Sequence, residues 1–351
     1  MLERWTTRIS ETVRHRLPLL LIVCYAIALV LPGPGQAIRK WELPTDWPEI
    51  LRPSTSQLLV AVLLFLAALG VEIRRVPRVF RQPALLVSTL SAVWLTPAAV
   101  ILLAWWTMPM VVDSDTASTL LVGFALVASM PVANSAAAWT QQSRGELPWA
   151  LALVVLSIVV CPWMIPLALK LLGLTFSDAE TTKLEQLTAS FTGLEFVVWV
   201  LLPTALGVVM RWAVGAERVA QHRQAVLLTS AGTLLLLNYI NAASALPQME
   251  DEFRLMWLVI CVVTALSLCF VGLVVAQLLG RMFRSSGSTI TALDYALTMK
   301  NTGLAIALAS SVLEEHAILL LPVFTMTLVQ HLFAGALHRG VVRRNGPPVH
   351  E

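Results

Sequence analysis

An ammonium, two carboxamides and two hydroxyls fall in this chain where lipid-facing segments carry almost no polar groups. Lys300-Asn301-Thr302 lies inside an apolar run from about Ile290 to Leu313, and Asn134-Ser135 lies inside another. A charge at the centre of a spanning helix costs about 2.5–3.5 kcal/mol on insertion scales, and such residues face a bundle interior or an aqueous cavity. The side chains on offer donate and accept hydrogen bonds and attract negative charge, which is binding chemistry. An intramembrane enzyme is not indicated, since no span carries a paired Asp dyad, an HExxH string or a Ser/His pair at catalytic spacing.

The elements that must position these residues are membrane spans. Of 351 residues 57% are hydrophobic and 13% charged, with mean hydropathy +0.77, whereas a soluble domain carries about 25% charged residues. The net charge of +3 does not point to nucleic acid, because the basic residues sit in short gaps between apolar segments. A span needs about 20 predominantly apolar residues. That rule predicts spans at 17–32, 56–73, 83–106, 117–139, 148–172, 196–214, 225–246, 255–279, 289–313 and 318–337. The expected fold is an all-α membrane protein of ten transmembrane helices, one transmembrane domain over 1–351, with short tails 1–16 and 338–351.

Loop charge orients it, since Lys and Arg gather on the cytoplasmic side. With both tails cytoplasmic, the inner segments hold Arg14, Arg16, Arg74, Arg75, Arg144, Arg211, Arg218, Arg223, Arg281, Arg284 and Arg339, while Asp113, Asp115, Asp178, Glu180 and Glu314 lie outside. The expected location is the cell (inner) membrane. The first span also fits a signal peptide, with Arg14 and Arg16 ahead of an apolar stretch that ends in small residues near Ala37; a retained span is the preferred reading. Trp41 and Trp47 suit an outer interfacial loop, and Thr181 to Phe196 reads as an amphipathic lead-in to the sixth span. Cys24, Cys161, Cys261 and Cys269 all fall in spans without CxxC spacing and read as small buried hydrophobes. No metal site and no soluble cofactor motif is expected.

Two of the predicted spans are alike. Met130-Pro131-Val132-Ala133-Asn134-Ser135 in the fourth and Thr298-Met299-Lys300-Asn301-Thr302-Gly303 in the ninth each place an Asn and then a hydroxyl near mid-membrane, followed by small residues. Pro131 lacks a backbone donor and Gly303 loosens its segment, so both helices are expected to be interrupted there. Interrupted backbone is tolerated at membrane depth only where protein or a water-lined cavity satisfies it. Five spans per half give the halves opposite orientation, which predicts two inverted repeats, about 17–173 and 195–337, with broken, crossing helices 4 and 9 at a midplane site.

These segments resemble the bile acid:sodium symporter family. The likeness runs over Pro131 to Arg144-Gly145 and from about Tyr295 to His331, including the Asn-Thr-Gly-Leu-Ala string at Asn301 to Ala305 and Pro322 beyond it. It implies a panel group and a core group of helices, and a substrate that is a small or amphipathic organic anion carried inward with sodium. The family's substrate contacts fall here on Asn134, Asn301, Gln330 and His331, with Ser135 and Thr302 beside them. His331 also has an ordinary reading as a satisfied structural histidine.

The family's sodium ligands are not kept. They fall on Ala136, Ala137, Ala150, Val154 and Ala296, on Lys300 in place of a Gln, and near Ala92, and methyl groups supply none of the oxygens a hard cation needs. The resemblance thus gives Lys300 a role: a tethered surrogate cation that makes transport sodium-independent. Desolvation generally favours a neutral amine, so proton exchange at Lys300 could instead couple transport to protons, with Asp294 as partner. Six residues apart, the two do not share a face of a regular helix. The alternatives are a permanently charged strut at Lys300 and, for the whole protein, a non-transporting membrane receptor that binds an organic anion. Oligomeric state, substrate and direction are not written in the sequence.

Overall fold

The computed structural model describes residues 16–41, 52–70, 79–173, 193–249, 254–312 and 317–345. Trp47, most of the lead-in at 181–196, Asp178, Glu180, Glu314, Arg14, Arg74 and Arg75 lie outside them. Elements in chain order are α1 (Leu17–Val30), α2 (Pro32–Arg39), α3 (Thr55–Leu69), α4 (Pro83–Thr107), α5 (Ser114–Ser129), α6 (Asn134–Gln142), α7 (Leu147–Gly173), α8 (Leu202–Val214), α9 (Ala216–Gln221), α10 (Arg223–Met249), α11 (Leu255–Met282), α12 (Gly287–Thr298), α13 (Thr302–Val312) and α14 (Leu321–Asn345). A π-helical stretch, Val197–Leu201, leads into α8, and a 3-10 turn, Ala317–Leu320, into α14.

Among the described residues six helical segments are long and apolar enough to cross a membrane: 83–110, 147–171, 197–214, 223–249, 255–282 and 318–341. The α1–α2 pair, bent by 93° at Leu31, makes a seventh if taken as one span. The second predicted span is a shorter apolar helix, α3, and the fourth and ninth are each split in two. The split has a physical cause in both cases and creates the site described below. Large apolar side chains stand on the outer surface, among them Trp212 at 83% and Met110 at 81% exposure. A surface of this kind suits lipid.

The helices pack as two groups. One holds α1, α2, α3, α8 and α10; the other holds α4 to α7 and α11 to α14. They meet mainly where α13 lies against α3 and α10, where the 3-10 turn before α14 lies against α10, and where α14 lies against α1. Small residues permit the close approaches that fix the second group. A Cβ on Gly272 of α11 would lie 2.5 Å from the Leu297 carbonyl oxygen at the end of α12, and one on Gly123 of α5 would lie 2.5 Å from the Leu319 carbonyl oxygen.

The ends of the helices are closed by identifiable caps. Asp113 accepts the Thr116 N–H at 3.0 Å at the start of α5, and this bond holds its exposed carboxyl below the usual range. Two Schellman turns place an arginine in the left-handed region: Arg144 (φ 57°) after α6 and Arg284 (φ 50°) after α11. Gly145 N–H reaches Thr140 O, and Ser285 N–H reaches Gly280 O, both at 2.8 Å. The turns touch through Glu146, whose N–H donates to Ser288 O at 2.8 Å and whose carboxylate accepts the Thr289 hydroxyl at 2.6 Å. All four cysteines are buried free thiols.

Candidate functional site

The backbone is extended at Met130 to Ala133, between α5 and α6, and again at Met299 to Asn301, between α12 and α13. The two interruptions face each other as an antiparallel bridge, Val132 opposite Lys300. Ala133 N–H donates to Met299 O at 3.0 Å and Asn301 N–H to Pro131 O at 2.9 Å. Each break thus supplies the partners that the other needs.

Backbone groups left over by a break must be satisfied somewhere. Val132 N–H donates to the Ser157 hydroxyl of α7 at 3.1 Å, and Lys300 N–H donates to Gln330 Oε1 of α14 at 2.8 Å. Ser129 O accepts the indole N–H of Trp94 at 3.0 Å. Gln330 Nε2 in turn donates to Thr302 Oγ1 at 3.3 Å.

Lys300 is 4% exposed, and its ammonium donates to two carbonyl oxygens, Val93 O of α4 and Met130 O at 3.2 Å. The Asp294 carboxylate takes both oxygens to Gln277 Nε2 of α11, at 2.8 and 2.9 Å. The contacts of Lys300 therefore run to carbonyl dipoles at the break, while the Asp294 carboxylate is engaged by Gln277.

A cavity of about 540 Å³ lies between the two helix groups at this crossing. Asn134, Ser135, Lys300, Asn301, Thr302, Gln330 and His331 all line it, so seven of the eight residues singled out in the sequence come together. From the breaks the cavity runs to the exposed ends at Gly70, Gln141 and Arg223, with Leu63, Leu151, Val154 and Leu234 between. Arg223 of α10 donates to Gln141 Oε1 at the end of α6, and Arg211 donates to Leu69 O at 2.8 Å. The helix N-termini of α6 and α13 both start at the crossing, and their dipoles favour negative charge there.

The polar groups differ in how far they are occupied. Asn301 Oδ1 caps α13 by accepting Leu304 N–H at 3.1 Å, whereas its Nδ2 is buried without a partner. Asn134 Oδ1 and both ring nitrogens of His331 are likewise buried and unpartnered. Buried groups in that condition cost stability unless something else meets them. Ala92, Ala136, Ala150, Val154 and Ala296, onto which the family's sodium ligands fall, are buried methyl-bearing residues, and Ala137 is partly buried.

Three contributors escaped sequence reading: Ser157, Trp94 and the Val93 carbonyl. Ser157 is the lone hydroxyl in the 27-residue α7, which is otherwise apolar up to Lys170 in its last turn, and that isolation is the signal that marks it. Val93 stands four residues before Pro97, a proline inside α4.

Apolar helices of membrane length, two of whose companions are broken and clasped beside a buried polar cavity, define a multi-pass membrane protein of transporter type. The chain belongs to the SBF-like CPA transporter family (DUF4137), whose model matches residues 15–343. Proteins of this bile acid:sodium symporter-like family are transporters and not enzymes. Among curated proteins none matches the chain.

Proposed function

We propose that this protein is a secondary transporter that moves an organic anion across the inner membrane, with Lys300 in the place of a coupling sodium ion. Its architecture on this reading is ten spans in two inverted five-helix repeats, with both tails cytoplasmic. The fourth span is α5 with α6, and the ninth is α12 with α13. The observation that carries the proposal is the seat of the ammonium, between the carbonyl oxygens of Val93 and Met130 at the clasped breaks. Carbonyl oxygens are what a small bound cation would take there, and a tethered ammonium offsets the same partial charges.

Further support comes from the symmetry of the clasp. The two bridge residues, Val132 and Lys300, each give their N–H to one side chain, on α7 and α14 respectively. These helices would be the fifth and tenth spans, the last of each repeat. The cavity runs toward Arg223 and Gln141, on the side that loop charge makes cytoplasmic. Two helix N-termini, Lys300 and the unpartnered Asn301 Nδ2 donor favour a carboxylate or sulfonate with an apolar body.

The test is flux of a panel of carboxylates and sulfonates into proteoliposomes, for the wild type and Lys300→Gln. The expected result is that Lys300→Gln lowers flux and changes its dependence on pH or sodium. Unchanged flux with unchanged pH and sodium dependence would sink the surrogate-cation reading. Binding of an anion without flux in the wild type would favour a receptor.

A further inference from the structure

Inside a helix, the N–H of each residue meets the carbonyl four residues before it, and proline has no N–H to give. Pro97 stands inside α4, so the ladder bond to Val93 O cannot form. That carbonyl is where the Lys300 ammonium donates. Its second acceptor, Met130 O, lies at the C-terminal end of α5, where the ladder stops at the break. The first is a carbonyl that a helix has released, and the second belongs to the extended C-cap residue just beyond the ladder. One residue beyond Val93, Trp94 gives its indole N–H to Ser129 O, so α4 meets the end of α5 through adjacent residues.

We propose that Pro97 is a positioning residue for Lys300: it frees the Val93 carbonyl so that the ammonium acts as the missing helix donor and ties α4 to the clasped breaks. This deepens the reading of Lys300 as a built-in cation and rests on it for its place in transport. Without Pro97, the backbone N–H at position 97 would compete for Val93 O, and the ammonium would keep Met130 O alone. The clasp itself is a statement about hydrogen bonds and can be tested without any substrate.

The experiment is a double-mutant cycle on the purified full-length protein, comparing melting temperatures of the wild type, Pro97→Ala, Lys300→Met and the double variant. Helix propensity favours Ala over Pro in both backgrounds and cancels in the cycle. In the Lys300→Met background the new N–H meets an orphaned carbonyl, so Pro97→Ala raises Tm more than it does beside Lys300. A hydrogen bond to a charged group and the melting scale of a chain this size put the difference at about 2 °C or more. Equal gains in the two backgrounds would overturn the proposal, because a proline that merely kinks α4 acts independently of Lys300.

Should Lys300→Met not fold, the amine of Lys300 gives a second readout. Acetylation of Lys300 by an amine-reactive ester, followed by peptide mass spectrometry, is expected to be faster in Pro97→Ala than in the wild type by about threefold or more, as loss of one hydrogen bond implies. An unchanged rate would overturn the proposal. Neither readout involves flux. A Lys300→Gln variant with normal transport would remove the coupling role and leave the clasp standing, whereas additive melting temperatures would remove the clasp alone.

Discussion

The two breaks are built from opposite materials. In the first, the covalent chain does the work: Pro131 cannot donate, Val127 O turns to Met130 N–H at 3.1 Å in a tightened last turn, and α6 then follows its N-cap Ala133 without a side-chain cap. In the second there is no proline. The break is held open by partners: Gln330 on the Lys300 N–H, Asn301 as the cap of α13, and the ammonium anchored on Val93 and Met130. One interruption is written locally, while the other exists because surrounding helices pull it apart.

The bridge register sharpens this contrast. Counting from the paired residues Val132 and Lys300, Asn301 stands opposite in rank to Ala133, and Asn134 to Thr302. The two asparagines that look equivalent in sequence are offset by one position. Asn301 consequently caps a helix, whereas Asn134 Oδ1 is buried with no partner.

Substitutions should separate the two breaks. The largest effect is expected from the groups that satisfy the bridge N–H donors: Gln330→Ala and Ser157→Ala each orphan a buried donor, at a cost of about 1–3 kcal/mol. If the second break depends on side chains as described, Gln330→Ala should lower Tm more than Ser157→Ala, since Pro131 keeps the first break open regardless. Equal or reversed losses in thermal unfolding would erase the distinction.

A smaller effect follows for the asparagines. Asn301→Ala removes a cap and should cost about 1 kcal/mol. Asn134→Ala removes a group that meets nothing in the protein, and should lie within about 0.5 kcal/mol of the wild type while weakening anion binding in isothermal titration. Equal destabilisation by both would contradict the offset register.

Much of this site was legible in the sequence, because its signals are local. Pro131, the buried charge at Lys300 and the Asn-hydroxyl pairs announce themselves against an apolar background, and Lys300, Gln330 and Thr302, each conspicuous in the sequence, are in contact. What was hidden depends on which helix lies beside which. Pro97 releases a carbonyl, yet nothing in the sequence says that Lys300, more than two hundred residues later, will use it. Asp294 reads as a natural partner for Lys300 by proximity along the chain, and its carboxylate instead meets Gln277 on the neighbouring helix. The span count was partly legible for a related reason. Apolar runs mark all ten predicted spans, whereas six described segments, or seven with the bent α1–α2 pair, are long and apolar enough to cross: α3 is shorter, and the 117–139 and 289–313 runs are each split in two.

The central claim is that Lys300 replaces sodium at the clasped breaks. Its most direct test is the melting temperature of the purified protein screened against carboxylates and sulfonates, in sodium chloride and in choline chloride. The account predicts an anion that raises Tm equally in both salts. Stabilisation that appears only with sodium would contradict it.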